Sequence, residues 1–259
     1  MAGHGQCYSG SACSAGCAVR HHAFMVSHGL AQCSDVVDMG TGSGHFLSEV
    51  ALLHPATRFH GIDNKPHMID AAESHARGNI DWVLADALDS KTSRFLGEAD
   101  GVIMRYFVLH LPDTRASLQK MLTNLRPGAR LWVIDIDTDH CRCEPPNSAF
   151  NWFVELVQAF CDHNAVEIKT GTLLPPILEA CGFDIDDVVA EPFNNREVDP
   201  MRFATYLCRE ASLYHYSLHG TPGTDEMRAL RVFLEQHAPG DSQFVQYGMV
   251  MLSATKRPI

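Results

Sequence analysis

The sequence predicts a doubly wound α/β fold with a parallel sheet, and three observations carry that prediction. Short apolar runs of strand length alternate with stretches of helical periodicity between residues 35 and 136. The first run, residues 36–39, stops in three glycines at alternate positions, Gly40, Gly42 and Gly44, and a helical pattern starts at once. Carboxylates stand at or near the ends of the first three runs, as Asp38, Asp63 and Asp86. In open sheets of this kind, ligands sit beyond the carboxyl ends of the strands.

The elements follow in order. Residues 1–17 are rich in Gly, Ser, Ala and Cys around a lone aromatic, Tyr8. They read as a tail, or as a flap that closes over a ligand with Tyr8 as its contact. Residues 18–32 form a short helix leading into the first strand. After the glycines, Ser43 is placed to cap a helix in which Phe46, Leu47, Val50, Ala51 and Leu53 repeat at helical spacing, with Pro55 beyond its end. Arg58–Asp63 is the second strand, 66–76 a helix, 80–85 the third strand and 90–96 a short helix. Residues 99–107 make the fourth strand, apolar until Arg105. A helix over 111–125 carries Pro112 and Asp113 in its first turn, and 129–136 is the fifth strand.

Beyond Asp137 the alternation lapses. Residues 138–147 are a polar, Pro-containing loop, and 150–163 an aromatic helix. Residues 173–181 form a helix closed by Gly182, and 183–191 the sixth strand. Two helices, 201–218 and 225–237, precede a final strand over 244–254. The expected organisation is one domain over 1–259: an N-terminal flap and helix (1–33), a ligand-binding half (34–136) and two helical insertions (137–168 and 194–240) capping the substrate side.

The glycine spacing bears on the ligand. A dinucleotide fingerprint places its third glycine five residues after the first, whereas these three are evenly spaced and His45 occupies that fifth place. Asp38 lies two residues before Gly40, so a cofactor with a cationic end and no pyrophosphate suits the loop better than NAD. A nicotinamide dehydrogenase is the rival reading. Asp63 follows Gly40 by 23 residues, close to the ~20 at which a carboxylate meets ribose hydroxyls.

Together these motifs resemble the class I S-adenosylmethionine-dependent methyltransferases of the small-molecule type. The residues are Val37-Asp38-Met39-Gly40-Thr41-Gly42-Ser43-Gly44, then Gly61-Ile62-Asp63, Ala85-Asp86-Ala87, and the Pro127-Gly128 turn before the fifth strand. The resemblance covers roughly residues 35 to 136. It implies a Rossmann-like, seven-stranded sheet whose last strand is antiparallel, and S-adenosyl-L-methionine as cofactor. It also implies a cofactor-binding set: Gly40, Gly42 and Gly44 against the methionine part, Asp63 at the ribose hydroxyls, Asp86 at the adenine amino group with Ala87 and Met68 beside the ring, and Asp38, Asn64 and Arg105 as further members.

The acceptor side is less marked. The stretch after the fourth strand lacks the Asn- or Asp-Pro-Pro-aromatic sequence of exocyclic-amine methylation and instead resembles small-molecule methyltransferases. The expected reaction is therefore methyl transfer to a small molecule, as O-methylation of an aromatic hydroxyl in secondary metabolism. The alternatives are N- or C-methylation, or a cofactor-binding protein of this fold that does not methylate. Tyr106, His110 and His215 are the candidate catalytic residues, the histidines as bases. Trp152, Phe153, Tyr206, Tyr214 and Tyr216 are candidates for an aromatic lining, of which one or two should touch substrate.

Composition narrows the partners. Twenty Lys and Arg against 31 Asp and Glu give a net charge of −11, which disfavours nucleic acid. No apolar stretch reaches membrane-spanning length and no signal peptide is visible, so a cytoplasmic protein acting on a small-molecule acceptor is expected, with a homodimer an allowed assembly. Nine cysteines and 15 histidines show no spacing of a metal site, and no metal is expected.

Overall fold

The computed structural model describes residues 15–164, 166, 169–221, 223–236 and 242–258; most of the stretch read as a tail or flap, with Tyr8, lies outside the described residues, and its last three residues open the first helix. The first half alternates as its periodicity dictates: α1 (Ala15–Ser27), β1 (Asp35–Met39), α2 (His45–Leu53), β2 (Arg58–Asp63), α3 (Pro66–Glu73), β3 (Ile80–Leu84), α4 (Ser90–Glu98), β4 (Gly101–Arg105), α5 (Thr114–Leu122) and β5 (Arg130–Ile136). Then come β6 (Arg142–Glu144), α6 (Ser148–Asn164), α7 (Thr170–Ala180), β7 (Phe183–Asn194), α8 (Pro200–His219), α9 (Asp225–Glu235) and β8 (Phe244–Lys256).

The sheet runs β3-β2-β1-β4-β5-β8, with β7 on the far side of β8. Strands β1 to β5 are parallel, and β8 is antiparallel to β5 and β7, as the resemblance implies. The strand order reverses between β1 and β4, so the crevice of such folds opens above the tips of β1 and β4. The described residues give eight strands rather than seven. The extra one is β6, three residues within the stretch read as a loop, which pairs with the start of β8 on the side that β5 occupies further along. A polar segment this short has no readable period; a partner with unpaired backbone groups makes it a strand.

Strand alternation sorts the core into two layers. Val36, Ile103, Trp132, Ile134 and Met251 point to one face, packed with α1, α2, α6, α8 and α9. Val37, Met39, Val102, Leu131, Val133 and Leu252 point to the other, packed with α4, α5 and α7. The largest buried side chains are on the first face: Trp132, Tyr247 and Phe153, the last two with ring centroids 5.5 Å apart. Burying each such ring contributes roughly 1.5–3 kcal/mol. Phe153, a candidate for the substrate wall, is thus spent on the core.

Two local expectations are corrected. Ser43 does not cap α2; the N-cap is Gly44 at φ 73°, with no side-chain hydrogen bond. Asp113 caps α5 from outside rather than sitting in its first turn, its carboxylate accepting from Ala116 N at 3.1 Å. No described helix is long and apolar enough to cross a membrane.

Candidate active site

The loop between β1 and α2 turns on three left-handed glycines, Gly40 (φ 71°), Gly42 (φ 57°) and Gly44 (φ 73°), a backbone that residues with Cβ adopt only with strain. Two are also needed for space. A Cβ on Gly40 would lie 2.5 Å from the Phe107 ring, and one on Gly44 would lie 2.6 Å from Trp82 and 2.7 Å from Ala72. Gly44 therefore lets helix and sheet approach, whereas the backbone of Gly40 and Gly42 faces a cavity.

That cavity, about 530 Å³, lies above the tips of β1 to β5, within the size range of small-ligand sites. At one end are Asp63, Asn64, Lys65, Met68, Asp86 and Ala87. Asp63 is pinned by Gly42 N to Oδ2 (3.0 Å) and Lys65 N to Oδ1 (2.9 Å). Asp86 accepts from Leu88 N (2.9 Å) and from Asn64 Nδ2 (3.2 Å). Each carboxylate keeps lone pairs for further donors.

Arg105 and Tyr106 line the middle. Arg105 Nε donates to His21 Nδ1 at 3.2 Å, and its guanidinium lies 4.5 Å from the Phe46 ring centroid and 4.7 Å from that of Tyr106. Burial, with help from Arg105 and Arg20, holds His21 well below the usual histidine range, so it is neutral and able to accept. Tyr106 has φ 52°, a strained backbone for a non-glycine residue at the mouth of a site. The buried Asp135 steadies the chain that follows, accepting Val108 N at 2.8 Å; burial raises its pKa to about 6.

The far end is closed by Ile136 and by Tyr206, Arg209 and Glu210 of α8. Glu210 is buried and accepts the Tyr214 hydroxyl at 2.8 Å. Desolvation raises its pKa to about 7, against the opposing pull of Tyr214 and Arg209.

Several sequence candidates meet here and others do not. Gly40, Gly42, Asp63, Asn64, Met68, Asp86, Ala87, Arg105, Tyr106 and His110 all line the cavity. His110 keeps contact with solvent while desolvation, and after it the Lys65 ammonium, lowers its pKa and favours the neutral ring. Asp38 and Gly44 are not on the wall. Asp38 is buried beneath the loop, accepts Thr41 Oγ1 at 2.7 Å, and has its pKa raised to about 7 chiefly by desolvation. His215 is a correction: its Nδ1 donates to Thr221 O at 2.8 Å and its ring packs on His219, away from the cavity. Of the proposed aromatic lining, Tyr206 alone reaches the wall.

Sequence reading missed Glu210, Arg209 and Leu109. A signal for Glu210 existed. It falls on the apolar stripe of α8 with Phe203, Leu207 and Tyr214, and a carboxylate on such a stripe is either paired or used.

The donor set fits a sulfonium nucleoside. The glycine cradle admits close approach, two carboxylates at one end match hydroxyl and amine donors, and Met68, Leu109 and Leu111 supply apolar wall that would suit a planar base. These features match a methyltransferase domain of the class I type. A family model, "Methyltransferase domain", matches residues 32–182, and the chain belongs to that family. An O-methyltransferase of Pyrenophora dematioidea is 28% identical over 122 residues, 45% of this chain and 44% of that protein. The O-methyltransferase resE of Aspergillus sclerotiorum is 27% identical over 156 residues, 58% of this chain and 54% of that one. The chain thus matches about half the length of these relatives. Among solved structures, phosphoethanolamine N-methyltransferase 2 of Haemonchus contortus, in complex with phosphomonomethylethanolamine and S-adenosylhomocysteine, superposes with a TM-score of 0.56 at 15% identity, covering 93% of this chain and 53% of that one. That likeness is one of fold.

Proposed function

We propose that the protein is an S-adenosylmethionine-dependent methyltransferase that methylates an oxygen of a small, planar acceptor, in the manner of secondary-metabolic enzymes. One observation carries the reading: a single cavity runs from the glycine loop and the Asp63–Asp86 rim, past Arg105 and Tyr106, to a separate wall made by Ile136 and α8. The first part suits the cofactor and the second an acceptor beside it. Residues 34–136 supply the cofactor half, and α8, packed against α6 and α9, supplies the wall of the substrate side.

The cofactor supplies an electrophilic methyl group when bound. The chain's own contribution is placement: Asp63 and Asn64 hold ribose hydroxyls, Asp86 and Ala87 meet the adenine edge, and Met68 covers its face. Gly40 and Gly42 admit the amino-acid part beside Arg105, while Asp38 stiffens the loop from below through Thr41. Holding the reacting groups in line can contribute about 7–11 kcal/mol. Tyr106 and His110 remain wall residues open to the acceptor. The net charge of −11 supports a small-molecule partner rather than nucleic acid; a cytoplasmic location is the reading that cell fractionation would test, and a homodimer the assembly that sedimentation would test.

Calorimetry with S-adenosylhomocysteine tests the cofactor half, and binding is expected. Incubation with methyl-labelled S-adenosylmethionine and matched phenols and anilines tests the transfer. Label on the phenols supports O-methylation, label on the anilines alone replaces it with N-methylation, and binding without transfer to either replaces it with a non-methylating protein.

A further inference from the structure

Resting on that reading, we propose that Glu210 is the general base of the reaction and that the acceptor is an aromatic hydroxyl whose proton Glu210 removes. Tyr206, Arg209 and Glu210 stand at i, i+3 and i+4 of α8, so one stripe of the helix faces the acceptor end of the cavity. Tyr214, one turn further on, donates to Glu210 Oε2 at 2.8 Å. That bond orients the carboxyl and leaves its other oxygen without a claim from Tyr214. A buried carboxyl on an otherwise apolar stripe is costly where Leu or Met would fill the same space, and among the described residues no ion pair joins Glu210 to another element.

The surrounding groups set its working range. On α8, Tyr214 and Arg209 favour the carboxylate. Asp135 from β5 repels it, Tyr247 from β8 faces it as a neutral phenol, and Tyr206 and Tyr106 bound the same space. Burial outweighs the two attractions and poises the group near neutrality, where a base is most effective. His110 is placed differently. Its charged neighbour is Lys65, whose amide is bonded to Asp63 at the nucleoside end.

The step balances without a further reactant. The acceptor O–H bond breaks and its proton passes to a Glu210 carboxylate oxygen. The oxygen lone pair forms the new O–CH₃ bond as the S–CH₃ bond breaks, and that electron pair stays on sulfur as a neutral thioether. Glu210 returns the proton to solvent with product release.

The test uses the full chain, wild type and Glu210→Gln, with two acceptors: phenol, which is un-ionised at neutral pH, and 4-nitrophenol, about half of which is already ionised there. S-Adenosylhomocysteine affinity is measured first by calorimetry and is expected to stay within about twofold in the variant. Wild-type kcat/KM should rise with pH through about 7. The variant should lose that limb and about 10²–10⁴-fold in rate on phenol, and far less on 4-nitrophenol. Tyr214→Phe removes a donor to the carboxylate and should move the limb to higher pH, which keeps the idea testable should Glu210→Gln fold poorly. Equal losses on both acceptors, an unmoved limb in either variant, or no transfer to phenols by a wild type that binds S-adenosylhomocysteine would overturn the assignment. Failure of the wild type to bind S-adenosylhomocysteine sinks the cofactor reading instead.

Discussion

The two ends of the cavity are built from different material. At the nucleoside end, the groups come from one continuous pattern of strand tips and loops, and their geometry is local. Asp63 is held by the amide two residues on, as is Asp86, and Gly42 reaches Asp63 across a single strand pair. At the other end, proposed for the acceptor, Ile136 of β5 and Tyr206 and Glu210 of α8 come from distant parts of the chain. They meet because α8 packs with α6 and α9 against the sheet. A cofactor site built from backbone can stay the same while a side-chain wall on inserted helices changes, so the cofactor end speaks for the class and the acceptor end for the reaction.

The contrast is sharpest if each end can be damaged separately. The largest effect is expected at the nucleoside end: Asp63→Ala should weaken S-adenosylhomocysteine binding by roughly 100-fold in calorimetry, since hydrogen bonds to a charged group contribute ~1.5–3 kcal/mol each. An unchanged Kd would remove Asp63 from the site.

Second in size is the pH dependence of stability. Burial raises the carboxyls of Asp38 (about 7), Asp135 (about 6), Glu191 (about 7) and Glu210 (about 7) above their ordinary values. In the folded state each binds a proton that the unfolded chain has released. Their contribution is therefore present below about pH 4 and is lost as pH rises toward 7, by up to ~1.4 kcal/mol per pH unit for each group. Denaturant midpoints at pH 5, 6 and 7 should fall less steeply for Asp38→Asn and Glu210→Gln than for the wild type. Parallel curves would mean that these carboxyls are hydrated.

A smaller effect is expected from Tyr206→Ala: the acceptor KM should rise about tenfold, the loss of part of a ring's burial, while cofactor affinity stays within twofold. If cofactor binding falls as well, the two ends are not separable. Smallest of all, His215→Ala should leave transfer within about twofold in a steady-state assay, because its ring is engaged by Thr221 outside the cavity.

Much of the nucleoside end was legible in the sequence. Alternate glycines after an apolar run, and carboxylates near three successive strand ends, describe positions whose backbone fixes their direction. Asp38 shows the limit of that logic: the right motif position places it under the loop, bonded to Thr41, rather than on the wall. His215 and Glu210 show a second limit. Both lie on α8, five residues apart, and a helix turns 100° per residue, so choosing the inward one requires knowing which stripe the sheet covers. Phe153 and Tyr214 likewise have the character of pocket residues and are used in packing and in holding Glu210.

By itself the sequence determined the alternation of strands and helices, the turn that cradles a ligand and the carboxylates beside it, because period, chain direction and glycine conformation are properties of neighbouring residues. Only the tertiary structure decided that β6 exists, that α8 closes the far end, and that Glu210 rather than His215 lines the cavity. Those outcomes depend on which surfaces meet, and the packing of segments a hundred residues apart leaves no local mark in either of them.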